Sequence, residues 1–354
     1  MMAALEEEVT RPKCTSIKWE TLPPMRTKRT FSSAAIVNNQ LYVLGGCDKD
    51  GQPLDTFESL NLTKKKKWQS LLNLSCSRAQ PAVVTVNNKI YVIGGVSSNQ
   101  SPLDNMDAYD IEKKTWTSLK SLEEKLMGVA TCVHKNNIIV IGGMKSNTEP
   151  SEKCRVYNTE KNLWQTLPDM PTPRYAAFAH LIGDKLYVFG GRKGKTACTV
   201  VEMLNLAEKP TPSWLKLADI PQPRVFPSYT ATDTHVYSYG GLQQDPMQFV
   251  GTFEAYDIEK GEWSKLEDMP SRHGDFAGGM VSGLVIASGG LGPQKKPFQD
   301  TNVYNPATGV WEVGPECPSG RSSATTLKNE DKLYVIGGFS PKGLTSEIFI
   351  LKPA

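Results

Sequence analysis

The sequence predicts an all-β protein built from seven repeats and closed into a ring, and three observations lead to that prediction. Tryptophan recurs every 48 to 50 residues, and a Gly-Gly pair begins 26 residues after each tryptophan. Between these markers lie short β-branched and aromatic runs separated by turn residues, which is typical of strands. A fixed period of this length indicates repeated units that pack on one another. The repeat tryptophans are Trp19, Trp68, Trp116, Trp164, Trp214, Trp263 and Trp311, and the first glycines are Gly45, Gly94, Gly142, Gly190, Gly240, Gly289 and Gly337.

The first full unit shows what each repeat contains. It begins at Arg29 with FSSAAIV as a first strand, turns at Asn38-Asn39, and continues with the apolar strand LYVL up to Gly45-Gly46. The loop CDKDGQPLD leads to a third strand, TFESLNL, and a fourth begins at Trp68. Four short antiparallel strands in such a unit predict one blade of a β-propeller. Units of this kind begin near residues 29, 78, 126, 174, 224, 273 and 321.

The two ends of the chain complete each other. After Gly337 the chain has one more strand, SEIFIL, and no eighth tryptophan, whereas Trp19 marks a fourth strand without a blade of its own. We therefore expect a single domain over residues 17–353, a seven-bladed propeller whose last blade is completed by the N-terminal strand. Such closure removes open sheet edges. Residues 1–16 are expected to form a flexible tail.

The repeat residues resemble the kelch motif. Gly-Gly after an apolar strand and a Tyr seven positions before the Trp, as at Tyr109 and Trp116 or Tyr157 and Trp164, carry the resemblance through nearly the whole chain. The stretches GQPLDT (51–56) and MGVATC (127–132) are most similar to the kelch domain-containing protein 8 group. The resemblance implies a protein-binding propeller that serves as a scaffold. The alternative is a substrate receptor of a cullin-type ubiquitin ligase, although nothing in the sequence resembles a BTB or F-box domain.

The sequence offers little catalytic chemistry. The four histidines, His134, His180, His235 and His273, occupy four different positions in their repeats, so they do not predict a shared set of metal ligands. No nucleophile elbow or phosphate-binding loop is present. We expect a non-enzymatic protein without metal or cofactor. A copper-oxidase-like enzyme, which some kelch relatives are, is the less favoured reading.

The repeat residues themselves are interpreted as structural. The tryptophans are expected to fill the space between blades, and the glycines to provide positive φ at the ends of strands. An arginine stands ten residues after five of the tryptophans, at Arg29, Arg78, Arg174, Arg224 and Arg321, and Leu126 and His273 replace it elsewhere. Two roles remain open for this series: satisfying nearby carbonyl groups, or lining a pocket for acidic ligands.

Strand parity predicts which face of the ring binds a partner. The loops after the Gly pairs and the loops that carry the arginines must lie on one face, around the channel mouth. The residues directly after the Gly pairs are Cys47, Val96, Met144, Arg192, Leu242, Leu291 and Phe339, a mostly apolar set. Phe31, Tyr175 and Phe226, which lie just beyond the arginines, are predicted to add the aromatic anchors that interfaces favour.

Charge is unevenly distributed on that face. The blade-four loop RKGKTACT carries Arg192, Lys193 and Lys195 without an acidic residue, whereas the blade-one loop CDKDGQPLD is acidic. An acidic or amphipathic peptide is therefore expected to dock towards blade four. The alternative is that these are solvated loop charges without a binding role.

Composition sets the expected environment. Forty basic and 37 acidic residues give a formal net charge of +3, which is too balanced to indicate binding to nucleic acid or a membrane. The acidic start MMAALEEEV does not resemble a signal peptide. We expect a monomer with protein partners of unknown identity. Its expected location is the cytoplasm, with the nucleus as a possible second location.

Overall fold

The chain folds into seven four-stranded antiparallel sheets arranged as the blades of a propeller. The structure is a computed structural model and describes residues 11–65 and 67–354. Within blades 1 to 6 the strands follow chain order from the inside of the ring to the outside. The predicted all-β, seven-bladed fold is confirmed.

The strand bounds repeat with little variation between blades. Blades 1 to 3 contain β2 (Ser33–Val37), β3 (Gln40–Leu44), β4 (Phe57–Asn61) and β5 (Gln69–Ser70); β6 (Ala82–Val86), β7 (Lys89–Ile93), β8 (Met106–Asp110) and β9 (Thr115–Ser118); and β10 (Ala130–His134), β11 (Asn137–Ile141), β12 (Cys154–Asn158) and β13 (Leu163–Thr166). Blades 4 and 5 contain β14 (Phe178–Ile182), β15 (Lys185–Phe189), β18 (Val201–Asn205) and β19 (Trp214–Lys216); and β20 (Ser228–Ala231), β21 (His235–Tyr239), β24 (Phe253–Asp257) and β25 (Glu262–Lys265). Blades 6 and 7 contain β26 (Ala277–Val281), β27 (Leu284–Ser288), β28 (Thr301–Asn305) and β29 (Val310–Val313); and β30 (Thr325–Asn329), β31 (Lys332–Ile336), β34 (Ile348–Pro353) and β1 (Ile17–Leu22).

Three further hairpins rise from the loops between the second and third strands of blades 4, 5 and 7. They are formed by β16 (Arg192–Lys193) with β17 (Thr196–Ala197), β22 (Leu242–Gln244) with β23 (Met247–Phe249), and β32 (Phe339–Ser340) with β33 (Gly343–Leu344).

The N-terminal strand closes the ring as the sequence predicts. Strand β1 pairs antiparallel with β34 over six residues, from Ile17 opposite Pro353 to Leu22 opposite Ile348. Ile17 and Leu22 are buried, and Leu22 packs in an apolar cluster shared by blades 7 and 1. The outermost strand of the last blade therefore comes from the opposite end of the chain, which ties the two ends together.

The segment predicted as a flexible tail is partly integrated into the propeller. Residues 1–10 lie outside the described residues. The N–H of Cys14 donates to the carbonyl of Val313 at 2.9 Å, and the N–H of Val313 donates to the carbonyl of Pro12 at 2.8 Å. Because Cys14 is also buried, residues 12–14 belong to the propeller, beside the outer strand of blade 6.

The first Gly-Gly pair shows why a side chain cannot replace these glycines. Gly45 has φ +59° and Gly46 has φ +94°. A Cβ on Gly45 would lie 2.5 Å from the carbonyl oxygen of Arg78 in the next unit. The pair therefore permits both the left-handed backbone and the close approach between neighbouring units.

The tryptophans link blades in a way that the sequence did not reveal. Each indole N–H donates to a backbone carbonyl of the preceding blade at 2.7–3.0 Å. Only Trp68 and Trp311 are buried, and the other five tryptophans are half-buried. The expectation that they simply fill the space between blades is thus corrected: they also bind the ring together by seven equivalent hydrogen bonds, of which Trp19 to Pro315 crosses the closure.

The arginine series is structural, because every member is buried and paired. Arg29 shows the pattern: it donates to the carbonyl of Gly45 at 2.8 Å and to the Glu58 carboxylate at 2.6 Å. The carbonyl role predicted from the sequence is therefore present, and a carboxylate partner that sequence reasoning missed completes it. The five pairs are Arg29 with Glu58, Arg78 with Asp107, Arg174 with Glu202, Arg224 with Glu254 and Arg321 with Glu347.

The two blades without this arginine also lack its acidic partner. In blade 3, Leu126 stands at the arginine position, and Arg155 stands in the third strand, at the position where blades 1, 2, 4 and 5 carry the acid. Arg155 pairs with Glu124 at 3.0 Å. In blade 6, His273 is buried and Asn302 replaces the acid. This joint change is expected physically, because removing one member would leave a buried charge unpaired.

Candidate binding face

The structure brings the predicted loops together on one face, which we call the upper face. In each unit the residue after the Gly pair bridges the residue after the blade-start position by two backbone hydrogen bonds, as in Cys47 with Thr30. The seven bridges are Thr30–Cys47, Ala79–Val96, Met127–Met144, Tyr175–Arg192, Val225–Leu242, Gly274–Leu291 and Ser322–Phe339. The turns between the third and fourth strands lie on the opposite, lower face.

A ring of left-handed residues surrounds the channel mouth on the upper face. The residue two positions after each blade start has φ between 47° and 62°, although only one of the seven is glycine. A positive φ in other residues is uncommon and costs conformational energy, and such strain is concentrated at functional sites. The seven residues are Phe31, Gln80, Gly128, Ala176, Phe226, Asp275 and Ser323.

Two phenylalanines of this ring border a central cavity of about 350 Å³, the mouth cavity. Phe31 is 40% exposed and Phe226 is 59% exposed. Leu242, Phe249 and Leu291 add further apolar walls. Concave apolar sites with few polar groups are typical binding sites, and exposed aromatic side chains at their rim are typical anchors.

Asp275 provides the single ionisable group in the lining of the mouth cavity. Its carboxylate accepts hydrogen bonds from the backbone N–H of Ser323 at 2.9 Å and from the Ser323 hydroxyl at 2.5 Å. Desolvation by the surrounding protein raises the pKa of Asp275 above its ordinary value, and the bonds from Ser323 oppose this rise only in part.

A second depression, the blade-four cavity, adjoins the mouth cavity across Phe226. It has a volume of about 340 Å³, and Arg192 lies in its wall. The Arg192 guanidinium stacks over the rings of Phe226 at 5.3 Å and Tyr175 at 5.7 Å. Its Nε is buried without a hydrogen-bond partner among the residues that the structure describes. Stacking therefore orients the guanidinium while part of its donor capacity remains unused.

The loop that carries Arg192 is held in shape by its neighbour. The side-chain amide of Gln244 donates to the carbonyl of Lys195 and accepts the N–H of Ala197 at 2.9 Å, so the hairpins of blades 4 and 5 form one wall. Lys193 and Lys195 are exposed on this wall. Hydrogen bonds thus hold the backbone of the basic loop in a defined conformation.

A third depression, the blade-one cavity, adjoins the mouth cavity across Phe31. It has a volume of about 410 Å³ and is lined by Asp48 and Phe339 among others. Asp48 Oδ1 accepts the N–H groups of Asp50 and Gln52, both at 2.9 Å, which fixes its carboxylate in a tight turn. Phe339 is 37% exposed.

The predicted site residues do not all reach these cavities. Leu242, Leu291, Phe339, Phe31, Phe226 and Arg192 line them. Tyr175 lies one position before the left-handed ring, and its hydroxyl donates to the carbonyl of Gly194 at 2.6 Å, so it supports the blade-four hairpin. Met144 is half-buried and bridges Met127, outside the linings of the three cavities. Counting two residues from every blade start would have found Gln80, Asp275 and Ser323.

The described residues offer no metal centre. Within residues 11–65 and 67–354, no three His, Cys, Asp or Glu side chains are grouped as ligands for an ion. In the same part of the chain, no helix has the length and apolar character needed to cross a membrane.

Comparison with known proteins supports the resemblance to the kelch motif. The family model described as the KLHDC2/KLHL20/DRC7 Kelch-repeats domain matches residues 128–338, and the Attractin/LZTR1 beta-propeller model matches residues 2–202. Kelch domain-containing protein 8B of Homo sapiens is 36% identical over 157 residues, which cover 42% of this chain and 44% of that protein. The match thus spans less than half the length of this curated relative.

More distant relatives share the fold or part of the sequence. The N-(sulfonatooxy)prop-2-enimidothioate sulfolyase of Thlaspi arvense is 30% identical over 186 residues, 44% of this chain and 52% of that protein. The solved structure of YjhT has a TM-score of 0.60 at 16% identity and covers 92% of this chain and 95% of that chain, which shows a common fold. Kelch propellers are in general protein-interaction modules rather than enzymes. Each of the two family models matches more than half of the chain, and with the seven blades they show that it belongs to the kelch-repeat β-propeller family.

Proposed function

We propose that this chain is a non-enzymatic interaction module, a scaffold that binds a partner protein through its upper face. The observation that carries the proposal is the mouth cavity, an apolar depression bordered by two exposed phenylalanines in strained backbone positions. Packing alone does not explain such residues, since exposed aromatic side chains contribute little to a fold but are frequent anchors at interfaces.

The proposal is tested by changing only the two anchors. Asn tolerates positive φ, so Phe31→Asn combined with Phe226→Asn removes the aromatic rings and keeps the backbone. Because both side chains are exposed, each substitution should change stability by no more than about 0.5 kcal/mol. The tagged wild-type and variant chains would be expressed in cells, and the captured proteins would be identified by mass spectrometry.

A matched control lies on the lower face. Lys113 and Lys161 are exposed residues of turns between third and fourth strands, so Lys113→Glu with Lys161→Glu changes surface charge away from the channel mouth. The amount of each partner captured by the wild type and the control should fall about tenfold or more in the phenylalanine variant. Equal capture by the phenylalanine variant, or loss in the control, would contradict an upper-face site.

A further inference from the structure

The blade-four, mouth and blade-one cavities adjoin one another in a row, which we call the path. Phe226 lies between the blade-four cavity and the mouth cavity, and Phe31 lies between the mouth cavity and the blade-one cavity. Blades 4 and 1 are three positions apart in a ring of seven and so lie almost opposite each other. The path therefore crosses the channel mouth from one side of the ring to the other. Phe226 and Phe31 form aromatic ridges at the two boundaries between cavities.

The two ends of this path carry opposite charge. The blade-four loop, residues 192–199, contains three basic residues and no acidic one. Aromatic stacking holds the Arg192 guanidinium there, and the Gln244 bridge holds the backbone at Lys195. At the other end the blade-one loop, residues 47–55, has three aspartates and one lysine, and that lysine, Lys49, pairs with Asp50 at 2.9 Å.

One charged side chain at each end is held in place before any ligand arrives. Asp48 is held by two backbone N–H groups, and Arg192 is held by two aromatic rings. Groups that are already ordered lose less conformational entropy on binding, and fixed charges of opposite sign favour one orientation of a charged ligand over its reverse. Each end acts on its own part of the ligand, because salt screens exposed charges beyond about 8–10 Å.

We infer that the upper face binds an extended partner segment in one fixed orientation, with an acidic block on the blade-four loop, apolar side chains in the mouth cavity and a basic block on the blade-one loop. This inference rests on the proposed function and adds to it the chemistry and the orientation of the partner. An extended segment suits the path, since its side chains alternate and can enter successive depressions on either side of the Phe31 and Phe226 ridges.

The test uses synthetic probe peptides of this composition. One peptide has a glutamate block, a Leu-Ser-Phe centre and a lysine block; a second has the same residues in reverse order, since the chain direction is open. In a third, Gln replaces every charged residue. Fluorescence anisotropy with the full chain should show that one of the charged peptides binds about tenfold or more tightly than the neutral peptide.

Protein variants then assign each block to its loop. Arg192→Glu with Lys193→Glu should weaken binding of the charged peptide about tenfold and leave binding of the neutral peptide unchanged. Asp48→Asn retains Oδ1, and so the turn, but removes the charge; it should weaken peptides with a lysine block and spare one whose lysines are replaced by Gln. The lower-face variant Lys113→Glu with Lys161→Glu is the control and should bind as the wild type does.

Photo-crosslinking decides the orientation directly. A benzophenone beside the glutamate block should label residues 192–199, and one beside the lysine block should label residues 47–55. The reverse pattern, equal labelling of both loops, or no binding by any charged peptide would overturn the inference. Binding that needs Phe31 and Phe226 but ignores the charged blocks would also overturn it while leaving the proposed function intact; that function is decided separately by the capture experiment.

Discussion

Closure of the ring by the N-terminal strand makes a quantitative prediction at Leu22. This side chain is 2% exposed and packs between blades 7 and 1 in the same apolar cluster as Ile348. Leu22→Ala should therefore cost about 2–5 kcal/mol, the range for buried leucines. The matched control is Leu72→Ala, because Leu72 is 60% exposed and should change stability by about 0.5 kcal/mol or less.

The assay for this prediction is thermal unfolding followed by circular dichroism. An unfolding entropy of about 2.1 cal/mol/K per residue gives roughly 0.7 kcal/mol/K for a chain of this length. Leu22→Ala should therefore lower the Tm by about 3–7 °C, and Leu72→Ala by less than about 1 °C. If Leu22→Ala has the same Tm as the wild type, the first strand does not support the ring and the closure is wrong.

Three other experiments test the repeat residues. Trp311 is fully buried and Trp164 is half-buried. In denaturant titrations, Trp311→Ala should lower the free energy of unfolding by about 3–5 kcal/mol and Trp164→Ala by about 2 kcal/mol. Equal losses would contradict the burial pattern. Glu58→Asn alone leaves the buried Arg29 without its carboxylate partner and should destabilise the protein by about 3–5 kcal/mol. Adding Arg29→His introduces the uncharged combination of blade 6, His273 with Asn302, and should recover part of that loss. Burial lowers the pKa of His273 to about 4, so the folded state keeps this side chain neutral. The free energy of unfolding should fall by about 3 kcal/mol as pH falls from about 6.5 towards 4, and His273→Gln should remove that part of the pH dependence. An identical loss of stability at acidic pH in both proteins would refute this prediction.

The spacing of Trp and Gly was sufficient to predict the fold because it records topology. A constant offset between Trp19 and Gly45, repeated six more times, indicates units of one topology. The pairing of β1 with β34 then gives the last unit its fourth strand. Strand parity likewise placed the loops after the Gly pairs beside the blade starts, as the bridge between Thr30 and Cys47 shows.

Side-chain depth and pairing were not accessible from that spacing. The acidic partners, such as Glu58 for Arg29, lie 26–30 residues downstream in sequence and become neighbours only when the blade folds. The sequence alone groups Tyr175 with Phe31, because both are aromatic residues close to a blade start. Their backbones differ by one position, however, and a shift of one residue turns a side chain from the channel mouth into the hairpin beside it.

Partner binding through the upper face is tested most directly by hydrogen exchange on the purified complex with a captured partner. The account predicts slower exchange in the complex within residues 192–199 and 242–249, which form the wall beside the mouth cavity. The lower-face turns 111–114 and 159–162 should exchange as in the free protein. Protection of those lower turns with unchanged exchange in the upper loops would contradict the account.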